Sequence, residues 1–452
     1  MLHGRSLARA PLAGASGRRS RPETARLPSA GPIACLLDMG ARYFHGWNVV
    51  AATFVMALFS FGLGFYGLSV YVATFQRLLG WSASTVSAPV TVYYVAGALL
   101  TTVMGDLYGR FGPRVIVAVG SVAMAAGLAA LGQVTRPWQL YPAFLLMSVG
   151  WGAMSGAAIN IILAPWFQRR RGLAVSIAFN GATLGGVFIT PALIPLIGAM
   201  GFGRALAAAA VMLMVVLASA ACVMRRSPAE LGLGPDGEPA SVAPGPPSGS
   251  VEPRGRRDAL RTWRFWSVSA PFALGLTAQV GVLTHLVALV APTLEVNGAA
   301  RAVSIATAAA VIGRLVTGFL VDRMNRRVVA SATLVIQIAG LALLAWAPSV
   351  AVVYAGCVLF GLGVGNLTTL PGLVLAAEWP RDRFSHLVGL VVGINQFTFA
   401  FGPSLVGVAR DVTGGYPAAL GVCAALQALA AVMILLGPGG PRPAHTPRDS
   451  PR

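Results

Sequence analysis

Apolar runs of about twenty residues recur along this chain, and short clusters of arginine separate them. Wound as a helix rising about 1.5 Å per residue, such a run crosses the hydrocarbon core of a bilayer, which is about 30 Å thick. Hydrocarbon offers no water to peptide groups, so each run must satisfy its own N–H and C=O groups, and a helix does this. Only 10% of the residues are charged, where a soluble chain of this kind carries about 25%. The expectation is an all-α membrane protein whose first partner is the lipid bilayer. The formal net charge of +19 does not point to nucleic acid, because the basic residues sit in turns between apolar runs, as the positive-inside rule requires. Every basic residue among the Lys+Arg total is arginine. Cys35, Cys222, Cys357 and Cys423 stand singly, so neither a disulfide framework nor a metal-binding spacing is present, and no cofactor is expected.

Twelve spans can be drawn. The first six cover about Trp47–Phe75, Ser84–Leu107, Arg114–Val134, Trp138–Leu163, Gly172–Ile197 and Gly203–Met224. The last six cover about Phe265–Ala291, Ala302–Val321, Val328–Trp346, Val350–Ala376, Leu387–Val408 and Pro417–Leu436. The division that follows is a disordered tail (1–45), a six-helix unit (46–224), a linker (225–263), a second six-helix unit (264–437) and a polar tail (438–452). The linker is rich in Pro, Gly and Ser and reads as flexible. Met39 directly precedes GARYFHGW, a natural beginning for the approach to the first span. Arg110, Arg114, Arg169–Arg171, Arg225, Arg226, Arg254, Arg256, Arg257, Arg323, Arg326, Arg327, Arg381 and Arg383 fall on one side of the spans; Arg77, Arg136, Arg204, Arg301 and Arg410 fall on the other. That asymmetry places both termini in the cytoplasm, and the expected location is the cell's inner, plasma membrane.

The two halves repeat. GDLYGRFGPR begins at Gly105 and GFLVDRMNRR at Gly318, while Gly150-Trp151-Gly152 is mirrored by Gly361-Leu362-Gly363. Internal repetition of this kind places a substrate site between the halves, near the bilayer midplane. Arg314 lies inside an apolar run about one helical turn before Gly318. A guanidinium within a membrane helix is costly and therefore a functional candidate.

The stretch Gly318-Phe319-Leu320-Val321-Asp322-Arg323, closed by Arg326 and Arg327, resembles the signature loop of the major facilitator superfamily. The resemblance implies twelve helices in two pseudo-symmetric six-helix bundles and transport by alternating access. It also implies a conformational latch made by Gly105, Asp106 and Arg110 in the first copy and Gly318, Asp322, Arg323, Arg326 and Arg327 in the second. Gly318 is expected to let two helices approach closely, and Asp322 to pair with a helix N-terminus and nearby arginine. The first copy departs from the family at Gly109, where an aspartate belongs, and Asn325 replaces the family's second glycine.

A narrower resemblance rests on Pro165-Trp166-Phe167, Arg169-Arg170-Arg171-Gly172-Leu173-Ala174 and Asn180-Gly181, and on Arg314 four residues before Gly318. It is to monocarboxylate porters and oxalate:formate antiporters, in which an arginine at this place binds the substrate carboxylate. A planar, permanently charged fork matches a carboxylate bidentately. Animal monocarboxylate porters carry an acid where this chain has Ala310 and a lysine near Ser69; the oxalate exchangers carry a lysine where this chain has Asn395 and Gln396. One cation suits a monoanion. Asp106, Glu295, Asp322 and Glu378 all fall at span ends, so His285 is the titratable candidate for following a co-transported proton. Tyr66, Tyr93 and Asn160 are candidate cavity residues beside Arg314, His285, Asn395 and Gln396. The expectation is a monomeric secondary transporter of a small organic anion, not an enzyme, since no nucleophile–base pair or metal cluster is evident. Two rivals share the fold: a drug–proton antiporter, whose Gly-Pro pair is absent from GATLGGVFITP, and a non-transporting sensor. Pro191, Pro271, Pro371 and Pro403 are expected to bend their helices.

Overall fold

The structure, a computed structural model, describes residues 44–238, 260–321, 323–379 and 381–437. Eleven helices are long and apolar enough to cross a membrane among the described residues. One of them, Ala83–Leu131, has 49 residues, which at about 1.5 Å each is more than twice a bilayer core. It turns at Gly112, whose φ of 78° breaks the helix. Counted as two, it brings the total to the twelve spans expected. We label them α1 (Gly46–Leu79), α2 (83–111), α3 (113–131), α4 (Pro137–Leu163), α5 (Arg171–Met200), α6 (Phe202–Val223), α7 (Trp263–Glu295), α8 (Asn297–Val321), α9 (Arg326–Trp346), α10 (Val350–Glu378), α11 (Leu387–Thr413) and α12 (Tyr416–Leu435). α7 and α8 form one helical stretch bent at Glu295, whose φ is 58°. No strand is present among the described residues.

In the first half α1 packs on α5 and α6, and α4 on the α2–α3 pair. In the second half α9 packs on α10 and α12, and α10 on the α7–α8 pair. The halves meet through α2 with α11, α5 with α8, and α1 with α7. The apolar core is not uniform. One continuous core fills the first half and runs into the arginine-poor part of the second, through Leu283, Val290, Ala306, Val406 and Leu420. A separate core, with Phe265, Phe272, Leu334, Leu370 and Ile434, fills the arginine-rich part of the second half. Among the described residues the halves therefore share an apolar core at the arginine-poor end and none at the other.

Interruptions of the helices sit where the site is built. α1 and α5 carry π turns at Gly62–Tyr66 and Gly185–Ile189, and the Thr190 hydroxyl donates to the Gly62 carbonyl at 2.8 Å. That bond satisfies a carbonyl released by the local change of winding. Pro191 follows the α5 turn, Pro371 lies inside α10, and Pro403 opens the last part of α11 beyond a turn at Ala400–Phe401.

The linker differs from expectation in its first part. Residues 225–238 are folded against the arginine-rich face of the first half. Asp236 accepts backbone N–H bonds from Gln168 (3.0 Å), Arg169 (2.8 Å) and Arg170 (3.4 Å) in the turn before α5, and its own N–H donates to the Trp166 carbonyl at 2.9 Å. Arg169 pairs with Glu238 at 3.0 Å, Arg226 donates to the Arg110 carbonyl, and Arg114 donates to the carbonyls of Met224 and Cys222 at 2.6 and 2.8 Å. Composition predicted flexibility; a carboxylate seated on three successive amides overrode it. The tails 1–43 and 438–452, Met39 and linker residues 239–259 lie outside the described residues.

Candidate functional site

Arg314 lies on α8, seven residues from its arginine-rich end. Its Nη1 donates to the Thr183 hydroxyl of α5, in the opposite half, at 3.3 Å. Its guanidinium lies over Gly365, where a Cβ would collide with it. Gly365 has φ +87°, so two independent constraints exclude a side chain there. Arg314 Nε is buried with no hydrogen-bond partner, and among the described residues no carboxylate lies within ion-pair distance of the guanidinium. The group is thus a permanent cation satisfied by one neutral hydroxyl, between the halves.

The repeated glycine motifs mark two helix breaks. α4 breaks at Ser155, three residues after Gly152, and α10 breaks at Val364–Gly365, directly after Gly363. Discontinuous helices in corresponding places of two repeats are the usual architecture of a midplane site. Asn366, just past the second break, donates to Thr317 Oγ1 and to the Leu362 carbonyl, both at 2.9 Å, which staples the break to α8. Ser155 Oγ and Asn366 Oδ1 are buried without partners. Sequence reasoning missed Thr183 and Gly365; the Gly-x-Gly-Val-Gly run after Phe360 was the signal for the latter.

The other candidates divide. Tyr66 is buried and packs on Gly186, which also meets Thr307 of α8. The Tyr93 hydroxyl donates to the Gly64 carbonyl at 2.7 Å and the ring is fully buried, so it holds the α1 π turn. Asn160 is exposed and donates to the Gly156 carbonyl of its own helix at 3.0 Å. Asn395 is buried with Oδ1 unpartnered, and Gln396 is half-buried. His285 is fully buried, with Nε2 at 3.1 Å from the Pro403 carbonyl and Nδ1 at 3.3 Å from the Tyr416 hydroxyl. A carbonyl can only accept, so Nε2 carries a proton, and Nδ1 faces the Tyr416 hydroxyl. Tyr416 opens α12 at the arginine-poor end, so His285 belongs to that end and is not brought to Arg314.

Of the latch residues, Asp322 lies outside the described residues. Gly105 and Gly318 face open space, and Asp106 and Arg110 are exposed. Among the described residues nothing approaches Gly318, so the close packing expected of it is not seen there. Arg323 stacks over the Phe319 ring at 3.6 Å and Arg326 donates to the Leu373 carbonyl at 2.5 Å. Arg327 is not a surface latch. It is 3% exposed and forms a bidentate pair with Glu378 of α10, at 2.6 and 2.8 Å. It also donates to Ser267 Oγ of α7 (3.0 Å) and the Ile434 carbonyl of α12 (2.8 Å). A buried cation must be paired, and here the pairing ties four helices of one half together.

The arginine-poor end carries a cross-half seam that sequence reasoning missed. Asp411, Gly407 and Ser404 lie on one face of α11. Asp411 accepts from the Ala83 and Ser84 amides of α2 at 3.2 and 2.7 Å, Gly407 abuts Ser87 and Ala83, and Ser404 pairs with Thr91 at 2.7 Å. Tyr416 meets Gln76 of α1 at 3.5 Å, and the Ser304 hydroxyl donates to the Val187 carbonyl at 3.0 Å. The signal was an acid at a span end facing an Ser-Ala-Ser start.

Comparison with known proteins agrees with this architecture. The family model of the Major Facilitator Superfamily matches residues 54–303 and 293–452. An MFS-type transporter of Ophiocordyceps sp. (strain BCC 1869) is 28% identical over 412 residues, covering 88% of this chain and 87% of the relative. Human monocarboxylate transporter 11 is 28% identical over 425 residues, covering 88% and 82%. Among solved structures, a point mutant of the nucleoside transporter NupG superposes with a TM-score of 0.70 at 13% identity, covering 86% of this chain and 99% of that one; at that identity the likeness is of fold.

Proposed function

The chain belongs to the major facilitator superfamily, and from that premise we propose that it carries a small organic anion, a monocarboxylate, across the membrane by alternating access. The observation that carries this reading is Arg314, a permanent cation between the halves whose sole hydrogen-bond partner among the described residues is the Thr183 hydroxyl. A charge so placed is stable when an anion completes its coordination. One guanidinium matches one carboxylate. The relationship to monocarboxylate transporters, at 27–28% identity, supports the same substrate class. Export of a neutral or cationic drug is less well served, because a half-buried cation repels the latter and is left unpaired by the former.

In this reading residues 46–224 and 264–437 are the two moving bodies, the arginine-rich face and both termini are cytoplasmic, the protein works as a monomer in the plasma membrane, and the conformation described is open toward the cytoplasm. His285 then serves the outer end, where a proton arriving from outside could be received. The experiment is uptake of labelled short monocarboxylates into proteoliposomes by Arg314→Lys and Arg314→Gln. Both are expected to lose more than about tenfold in apparent affinity, since lysine keeps the charge but loses the planar fork. Near-normal anion uptake by Arg314→Lys would overturn the anchor role.

A further inference from the structure

Resting on Arg314 as the anchor, we infer that the anion carried has a broad apolar body, an arylalkanoate rather than an acid of acetate size. Phe61 and Phe65 stand four residues apart on α1, on one face. Trp151 of α4 backs both: its ring meets Phe61 edge-on at 5.0 Å and stacks on Phe65 at 5.9 Å with 15° between planes. Tyr94 of α2 meets Phe65 and Trp151 edge-on at 6.2 Å each. It then meets Phe399 of α11 edge-on at 5.4 Å. That last contact crosses from one half to the other, so the row reaches the boundary between them, just below the seam. Phe61, Phe65 and Phe399 are half-buried, while Trp151 and Tyr94 are buried behind them. The wall is an apolar surface backed by rings, not a single exposed phenylalanine.

The wall is continuous with the anchor. Tyr66, at 5.0 Å from Phe65, packs on Gly186, and Gly186 meets Thr307 of α8. Thr307 is seven residues, two helical turns, before Arg314 on the same helix face. Ring centroids 4.5–7 Å apart are the range in which a further ring gains from edge and offset contacts. An acid of acetate size would fill the guanidinium and leave this wall uncovered. An arylalkanoate would place its carboxylate on the last six helices and its ring on the first six, and a ligand that touches both halves is the one whose binding favours their closure.

The test uses the full chain in proteoliposomes at alkaline pH, where passive entry of the protonated acid is slow. Uptake of labelled phenylacetate and labelled acetate is measured for the parent chain, Arg314→Gln, Phe65→Ala and Phe61→Ala, with the folded fraction of each variant followed by size exclusion. The expected half-saturation for phenylacetate is at least about tenfold below that for acetate, a difference of about 1.4 kcal/mol. Phe65→Ala, or Phe61→Ala if the first folds poorly, should weaken phenylacetate more than acetate and bring the ratio near one. Saturable, Arg314-dependent uptake of acetate at equal or better affinity than phenylacetate overturns the inference and leaves the anion reading standing. Uptake of both acids that ignores Arg314→Gln overturns the anion reading itself.

Discussion

Removing the Asp411 carboxylate should open the arginine-poor end. Asp411 receives two amide bonds from the first turn of α2, at 2.7 and 3.2 Å, and its side chain is 20% exposed. Hydrogen bonds to a charged group contribute about 1.5–3 kcal/mol each when buried; here opening hands the amides to water, so the lower end applies. Asp411→Ala should therefore shift the closed-to-open balance by about 2–3 kcal/mol, on the order of 30- to 150-fold. Asp411→Asn keeps an acceptor but loses the charge that favours a helix N-terminus, about 0.3–1 kcal/mol. Spin labels at Arg77 and Ala418, both exposed at that end but outside the seam, in a chain whose native cysteines are replaced, report the opening as a new long-distance population. Near-identical distance distributions for Asp411→Ala and the parent chain would refute the seam as the closing contact, whatever happens to uptake.

Further expectations concern the fixed parts of the molecule. Glu378→Gln leaves the buried Arg327 charge without its carboxylate and should cost about 3–5 kcal/mol, read as a lowered Tm in detergent; the double variant with Arg327→Gln should recover part of the loss, and equal Tm values for parent and Glu378→Gln would reject the pairing as a stabiliser. Although partial burial alone would raise the Asp236 carboxyl, the amides of Arg169, Gln168 and Arg170 hold it below the ordinary carboxylate value. The ionised group is thus favoured in the docked state, and the docking it supplies is complete at neutral pH and is lost as pH falls through and below the ordinary carboxylate value; trypsin cleavage at Arg225 and Arg226 should speed up with Asp236→Ala at neutral pH, and equal rates would show the linker held by other contacts. Reporter fusions after Arg136 and after Arg257 should lie on opposite sides of the membrane; the same side for both would defeat the orientation.

The helices were legible because hydrocarbon leaves the backbone no alternative: length and apolarity alone drew twelve spans, and Gly112 merely hides one boundary inside a 49-residue helix. Arg314 was legible because charge in an apolar run is rare. Its environment was not. Thr183 is an ordinary small residue in a glycine-rich stretch, and only the packing of α5 on α8 brings it to the guanidinium. Arg327 was misread because sequence places it in a basic turn, while its partner Glu378 stands fifty-one residues away. Asp411 was overlooked because it follows Arg410 at a span end, where an acid–base pair reads as surface; its amide partners belong to the other half.

The distribution of contact types supports two rigid bodies moving against each other. Within the second half the contacts are costly to break. The Arg327–Glu378 pair is buried, and Gln279, Gln337 and Gln427 join α7, α9 and α12 through bonds of 2.8 and 2.7 Å in a region where no water would replace them. Between the halves, at the arginine-poor end, an apolar core is shared, and the hydrogen bonds beside it are of another kind. Thr91 with Ser404, Asp411 with the α2 amides, and Gln76 with Tyr416 are polar and only part-buried. Water can take over each such group at little net cost. A seam of exchangeable bonds beside halves stapled by buried ones will part at the seam first. In the function proposed above, the charge of Arg314 lies on the far side of it, where an anion touching both halves would decide which end stays closed.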